Sequence, residues 1–331
     1  MIAVTGASGH VGANLTRVLK AQDEQVRALV RDDRRALEGL GLELATGDVL
    51  DLHSLIRAFR GARIVYHLAA LISMYKHDKN MMFRVNVEGT RNVIKACVQC
   101  EVRRLIHFSS IHTLSPHPKE EILDESRALV KGKKMSLYDR TKALAEREIE
   151  KAARQGLEVI VVTPTALMGP YDFKPSYAGR TLLDVYHERI PALVDGGFDW
   201  VDVRDVVSGA LAAAKDGRPG ERYILSGKWY TVREICEMVR ELTGCKIPRL
   251  DVPMWLARGV APPVTVAARL FGKSPMFTSG SLYVLRHYRY ISHAKATREL
   301  GYNPRPIART IRDLFDWFKE YGYLERMPSV R

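Results

Sequence analysis

The feature that most constrains this chain is its first turn, Thr5-Gly6-Ala7-Ser8-Gly9-His10-Val11-Gly12. A short run rich in β-branched residues, Ile2–Thr5, leads into it, and apolar residues at helical spacing, Val11–Ala21, follow it. A G-x-x-G-x-x-G turn between a strand and a helix is a dinucleotide-phosphate cradle. Gly6 permits the tight turn, Gly9 lets backbone approach a pyrophosphate, and Gly12 lets helix and strand pack closely. The helix N-terminus adds free N–H groups and a partial positive charge for the phosphates. Ser8, His10 and Val11 fill the same turn and are expected to contact the cofactor with the three glycines.

The pattern that follows extends this unit. Apolar, β-rich runs at Gln25–Val30, Leu42–Thr46, Arg63–His67, Arg104–Ser109 and Leu157–Thr163 alternate with helical stretches around Asp51–Phe59, Asn80–Cys100 and Ser136–Arg154. Such alternation predicts an α/β fold with a doubly wound parallel sheet of Rossmann type. After Pro164 the alternation weakens and Gly, Pro and aromatic residues become dense. Trp200–Val207 and Arg222–Ser226 read as strands that return to the main sheet. The expected organisation is a dinucleotide-binding domain over 1–165, joined by 200–227. A smaller, discontinuous, mostly helical substrate lobe spans 166–199 and 228–305, and a C-terminal helix and tail span 306–331. At 331 residues this suits one large domain with a lobe.

Charge and cysteines narrow the function classes. The formal charge is +13, but the cations are spread along the chain. No basic run is interleaved with aromatics in the manner of a single-strand binder, so no nucleic-acid partner is expected. Cys97 and Cys100 sit in a helical pattern with no second ligand pair, and read as small apolar residues with no metal. Four cysteines in this length suit a reducing, cytoplasmic setting. No leader peptide is legible. The most apolar stretch, Val252–Gly272, is broken by Arg258, Arg269 and three prolines, so no membrane partner is expected. The second strand ends in Arg31, with Arg34 and Arg35 close behind, where an acid would favour NAD(H). Guanidinium groups there favour the 2′-phosphate of NADP(H), although Asp32 and Asp33 follow at once.

Tyr138 and Lys142 stand four apart, on one face of a helix. A lysine ammonium beside a phenol is expected to lower its pKa toward working pH, so that the phenol exchanges a proton with a carbinol or carbonyl oxygen. Ser109 and Ser110 follow a strand end, where a serine hydroxyl can hold that oxygen.

Together these residues resemble the extended branch of the short-chain dehydrogenase/reductase superfamily, which includes NAD-dependent epimerase/dehydratases, dihydroflavonol reductases and 3β-hydroxysteroid dehydrogenases. Further marks of it are Gly47-Asp48-Val49, His67-Leu68-Ala69-Ala70, Val85-Asn86-Val87-Glu88-Gly89-Thr90, Pro164-Thr165 and Val201-Asp202-Val203-Arg204-Asp205-Val206. The resemblance implies Ser110, Tyr138 and Lys142 as the catalytic set, with Lys142 also on the nicotinamide ribose. It implies Asp48 and Val49 at the adenine, Leu68, Ala69 and Ala70 along the cofactor cleft, and Pro164 and Thr165 beside the nicotinamide. Asn86 is expected to be structural, and Asp205 to fasten the lobes. Met74, Tyr75, His112 and Tyr171 are candidates to face a small-molecule substrate, and loop packing would account for them as well. Apolar residues of the later lobe (Trp255, Leu256, Val260, Phe271) lean toward an apolar or aromatic substrate.

The leading expectation is an NADP(H)-dependent oxidoreductase of a carbonyl/alcohol pair. An epimerase or dehydratase of a nucleotide sugar, with tightly bound NAD(P), would carry the same three residues. A non-enzymatic cofactor sensor would be expected to have lost one. The resemblance also implies a homodimer built on the Tyr138–Lys142 helix.

Overall fold

The computed structural model describes residues 1–72, 78–132, 135–257, 259, 282 and 285–325. Along the chain run β1 (Ile2–Thr5), α1 (His10–Ala21), β2 (Val26–Val30), β3 (Glu43–Thr46), α2 (Leu52–Phe59) and β4 (Ile64–His67). Then come α3 (Lys79–Phe83), a π-helical turn (Arg84–Glu88), α4 (Gly89–Gln99), β5 (Arg104–Phe108), α5 (Leu137–Arg154), β6 (Glu158–Pro164) and β7 (Ala166–Met168). The second half holds α6 (Tyr177–Tyr186), β8 (Leu193–Val194), β9 (Gly197–Asp202), α7 (Val203–Asp216), β10 (Arg222–Leu225), β11 (Lys228–Thr231), α8 (Val232–Thr243) and β12 (Asp251–Val252). Helices α9 (Ala294–Leu300) and α10 (Ile307–Glu320) follow.

Seven strands form one parallel sheet in the order β10-β6-β5-β4-β1-β2-β3. The chain winds outward in both directions from β1, so the order reverses between β1 and β4. A parallel sheet covered on both faces needs apolar side chains on both, which is why these strands read as near-continuous apolar runs. On one face Val4, Ile106, Val162 and Leu225 pack with Leu15 and Leu19 of α1 and Val206, Val207 and Ala210 of α7. On the other, Val65, Leu105 and Val161 pack with Leu55 of α2, Val93 of α4 and Ile149 of α5. Each fully buried Val or Leu contributes about 1.5–3 kcal/mol.

Two expectations are corrected here. Trp200–Val207 is not a strand of the main sheet. Residues up to Asp202 form β9, in a separate sheet ordered β11-β9-β7, and α7 starts at Val203. The Asp202 carboxylate caps that helix by accepting from Arg204 N, and Val203, Val206, Val207 and Ala210 lie at helical spacing. Within 228–305, α9 also departs from the lobe. Ala296 and Leu300 pack in the main core with Tyr302, beside α7 and β10. Helices α6, α8 and α10 do gather in a core of their own, around Leu182, Ile235, Val239, Ile311, Leu314 and Phe318. Arg222–Ser226 does return to the main sheet, as β10 beside β6.

Gly12 tests how tightly the first turn is built. A Cβ there would lie 2.3 Å from Gly6 O and 2.6 Å from the Ala7 Cα. Gly12→Ala is therefore expected to destabilise the fold by about 1–3 kcal/mol or more. A urea-unfolding midpoint equal to that of the unaltered chain would contradict the packing described.

Candidate active site

The first turn, the end of β4 and the start of α1 form a cleft at the C-terminal edge of the sheet. Gly6 has φ +71°, and a Cβ on it would lie 2.7 Å from Ala69 N and 2.8 Å from Leu68 C. Leu68, Ala69 and Ala70 thus pass directly over the turn. A short relay fixes them: Ala69 N donates to Thr5 Oγ1 (3.3 Å), which bonds His67 Nδ1 (2.8 Å), while His67 Nε2 bonds Thr90 Oγ1 (3.0 Å). Helix α1 starts at Gly9 with no side-chain cap and no acid in its first turn. Gly9 is exposed, and a Cβ there would meet only Gly6 O, at 3.3 Å. Uncapped N–H groups at an open glycine fit a phosphate. Ser8 and Val11 are partly exposed beside it. The His10 ring points away, with Nε2 bonded to the carbonyls of Gly169 (3.0 Å) and Pro170 (3.1 Å).

At the far end of the cleft, Asp33 is already engaged. It accepts from Arg35 Nε (2.9 Å) and the terminal nitrogen (2.6 Å), which hold its carboxyl down at about 2. Arg31 stands largely in solvent, 3.5 Å from Asp48 Oδ2, and Arg34 reaches Thr46 Oγ1 at 3.2 Å. Asp48 Oδ1 accepts from Leu50 N (2.9 Å). Val49 is buried, and its carbonyl accepts from Asn92 Nδ2 (3.1 Å).

At the other end, α5 brings up Tyr138 and Lys142. Its start is fixed by a reciprocal cap: Asp139 N donates to Ser136 Oγ (3.1 Å) and Ser136 N to Asp139 Oδ2 (3.2 Å). Such a box is a helix-start signal, and here it sets Tyr138 in the first turn. Ser110 leaves β5 in extended conformation, and its Oγ accepts from His112 N (3.3 Å). Ser110 lies close enough to the Tyr138 phenol to favour its ionised form. Lys142 Nζ donates to the Phe108 carbonyl at 2.6 Å, inside the protein. Asn86 braces the backbone beside the site. Its amide bonds both Leu71 N (2.7 Å) and Leu71 O (3.0 Å) and donates to Thr141 Oγ1 (3.1 Å).

The electrostatics correct one expectation. Burial pushes Tyr138 up to about 12, and the nearby Ser110 only partly offsets this. Lys142 itself is pushed down to about 8 by burial, against the charge of Glu146. The desolvation of a packed phenol outweighs the expected pull of the ammonium. Beneath Lys142, His67 and His107 are cross-strand partners with ring centroids 5.4 Å apart. Burial, then the Lys142 charge, lowers His67 to about 3 and His107 well below its usual value.

The substrate candidates separate. Met74 and Tyr75 lie outside the described residues. His112 does sit beside Ser110, edge-on to Tyr288 with centroids 5.0 Å apart. It lines a cavity of about 20 Å³ with Thr165, Phe198 and Asp199. Tyr171 is elsewhere: its ring lies 4.4 Å from the Arg17 guanidinium and packs with Phe173 and Trp317. That cation–π contact and the aromatic cluster occupy it. Pro164 ends β6, and Thr165 donates to the buried Asp199 (2.6 Å), which also accepts from Gly227 N (2.8 Å). Asp205 ties α7 to Arg305 through Arg305 N (2.8 Å) and Nε (2.9 Å). Glu146, Arg222, Asn92 and Asp199 were not legible as site residues. Of these, Glu146 alone carries a sequence signal, its position four residues past Lys142.

A family model for the NAD dependent epimerase/dehydratase family matches residues 2–226. The chain belongs to that family. It lies within the extended short-chain dehydrogenase/reductase superfamily, and the family implies NAD(P) binding. The chain is 38% identical over 325 residues to sterol demethylase protein B of Methylococcus capsulatus, covering 97% of this chain and 99% of that one. It is 31% identical over 313 residues to a Stigmatella aurantiaca ketoreductase of 4-hydroxy-2-methyl-3-oxo-4-farnesyl-3,4-dihydroquinoline-1-oxide, covering 91% of each. The crystal structure of gox2253 superposes with a TM-score of 0.87 at 34% identity, covering 98% of this chain and 99% of that one.

The histidine pair gives a pH prediction. A buried histidine with a lowered pKa binds its proton in the unfolded chain first. Its contribution to stability is full above roughly pH 6.5 and is lost as pH falls toward 3. Urea midpoints are expected to drop through that window. Replacing His67 with Asn is expected to flatten the drop, and an unchanged slope would contradict the assignment.

Proposed function

We propose that this chain is an NADP(H)-dependent carbonyl reductase in which Ser110, Tyr138 and Lys142 form the catalytic set. The observation that carries the reading is the meeting of three elements: Tyr138 in the first turn of α5 acts together with Ser110 from the end of β5, and Lys142, one helical turn on, is seated on the Phe108 carbonyl of that strand. When bound, the nicotinamide supplies a hydride to the carbonyl carbon. Ser110 holds the carbonyl oxygen, and Tyr138 transfers its phenolic proton to that oxygen as the alcohol forms. The raised pKa of Tyr138 suits a group that must arrive protonated and donate. The Lys142 ammonium stabilises the phenolate left behind, which regains a proton from solvent. Lys142 would also bond the nicotinamide ribose, with Pro164 and Thr165 beside the ring. Gly6, Ser8, Gly9, Val11 and Gly12 would hold the pyrophosphate, and Asp48 and Val49 would edge the adenine.

Arg31 and Arg34 support NADP(H) over NAD(H), and of the two acids that follow Arg31, Asp33 is held by Arg35. The substrate class we favour is a bulky, largely apolar cyclic ketone, bound between the cleft and the lobe that carries α6 and α8. His112, two residues past Ser110, lines a small cavity with Thr165 and Phe198. The names of the Methylococcus and Stigmatella relatives support this class. We also propose a homodimer through α4 and α5, on which Val98 and Leu144 are exposed. Among the described residues no helix is long and apolar enough to cross a membrane.

Tyr138→Phe is expected to cut kcat by about 10²–10⁴ while the Kd for NADPH, read by fluorescence, changes less than about twofold. Retained turnover would sink the reading, as would sugar interconversion without net NADPH consumption. Arg31→Ala with Arg34→Ala is expected to weaken NADPH about tenfold or more and to leave NADH unchanged. A parent chain that prefers NADH would overturn the cofactor assignment.

A further inference from the structure

On α5 the residues Tyr138, Lys142 and Glu146 repeat at intervals of four, so all three lie on one helical face. Glu146 is fully buried. One carboxylate oxygen accepts from the Ser109 hydroxyl, and the other from the Arg222 guanidinium, with Nε at 2.7 Å. Arg222 belongs to β10, the outermost strand on this side of the sheet. Burying a carboxylate is costly even when it is paired. An apolar contact would tie α5 to β10 as well, so the tie does not account for the charge.

The surroundings of Lys142 do. Its ammonium is buried and donates to one backbone carbonyl, that of Phe108. From β4 and β5 it faces His67 and His107, and both His107 ring nitrogens lack a hydrogen-bond partner. Tyr138 stands on its own helix. Arg91 of α4 turns outward to Glu148. Glu146 is the carboxylate that acts on Lys142.

We propose that Glu146 is a positioning residue: anchored by Arg222 and Ser109, its carboxylate keeps Lys142 charged and seated on the Phe108 carbonyl. Its bearing on turnover rests on the reductase reading, whereas its effect on Lys142 does not. The segment Ser109–Ser110 would then divide its work. Ser110 faces the reacting oxygen, and Ser109 faces backward to hold the group that keeps Lys142 protonated.

The test is an NMR titration of the cofactor-free chain labelled with [¹³C]lysine at the ε-carbon, with Lys142 assigned from the signal lost in Lys142→Arg. Glu146→Gln is expected to lower the Lys142 midpoint by about one pH unit. Ser109→Ala, which keeps the carboxylate and its Arg222 anchor but removes the Ser109 one, is expected to lower that midpoint by less than Glu146→Gln does. In the enzyme assay, the alkaline limb of kcat/KM should move down with the midpoint. If the Gln variant does not fold, the neutral pair Glu146→Gln with Arg222→Gln removes the stranded guanidinium and is read in the same way. An unchanged midpoint in a folded variant overturns the proposal and leaves Glu146 as a mere anchor. Because this titration involves no turnover, a shifted midpoint together with no reduction of any ketone would sink the reductase reading alone.

Discussion

The site depends on how closely three pieces of backbone approach one another: the turn at Gly6, the first residues of α1 at Gly12, and the Leu68–Ala69 crossing. These contacts leave no room for a Cβ at Gly6 or Gly12. They set the floor of the cleft, and the sheet sets its length. Because the strand order reverses between β1 and β4, loops from the two halves of the sheet diverge there and leave a crevice. Arg31 follows β2, on one side of that reversal, and Tyr138 opens α5, which follows β5 on the other. The same short distances explain the polar relay behind them. Backbone that approaches this closely inside a protein needs its N–H groups satisfied, and Thr5, braced by His67 and Thr90, accepts from that of Ala69.

Much of this was legible from sequence because the relevant signals are local. The glycine spacing, the strand–helix alternation and the Tyr138/Lys142 interval each concern residues close in the chain. The strands of the main sheet fall within a residue or two of where the apolar runs put them. The exceptions share a cause. Trp200–Val207 is apolar and β-branched enough for a strand, but the Asp202 cap and the helical spacing of its valines decide otherwise. Tyr171 follows the loop after β7 as a substrate-facing residue would, yet a cation 154 residues earlier, Arg17, captures its ring. In both, one polar partner outweighs the general character of the segment.

The charge state of the site was the least legible part. Tyr138 beside Lys142 suggests an acidified phenol when only those two are considered. The fold adds dehydration, two neutral histidines and a carboxylate from the next helical turn, and burial then dominates. None of these neighbours is close to Tyr138 in sequence except Glu146. Spacing can predict which groups meet, whereas the dielectric they meet in is a property of the whole packed interior.

The Arg222–Glu146 pair has a consequence for how the chain is assembled. Helix α5 emerges from synthesis long before β10, yet it carries a carboxylate whose cationic partner arrives only with that last strand. Until β10 docks, a folded α5 would bury Glu146 without its guanidinium partner, or remain loosely attached with Glu146 in water. The segment up to 165 is thus expected to close fully only with residue 222 in place, the last strand of the sheet acting as the clasp on the earlier ones.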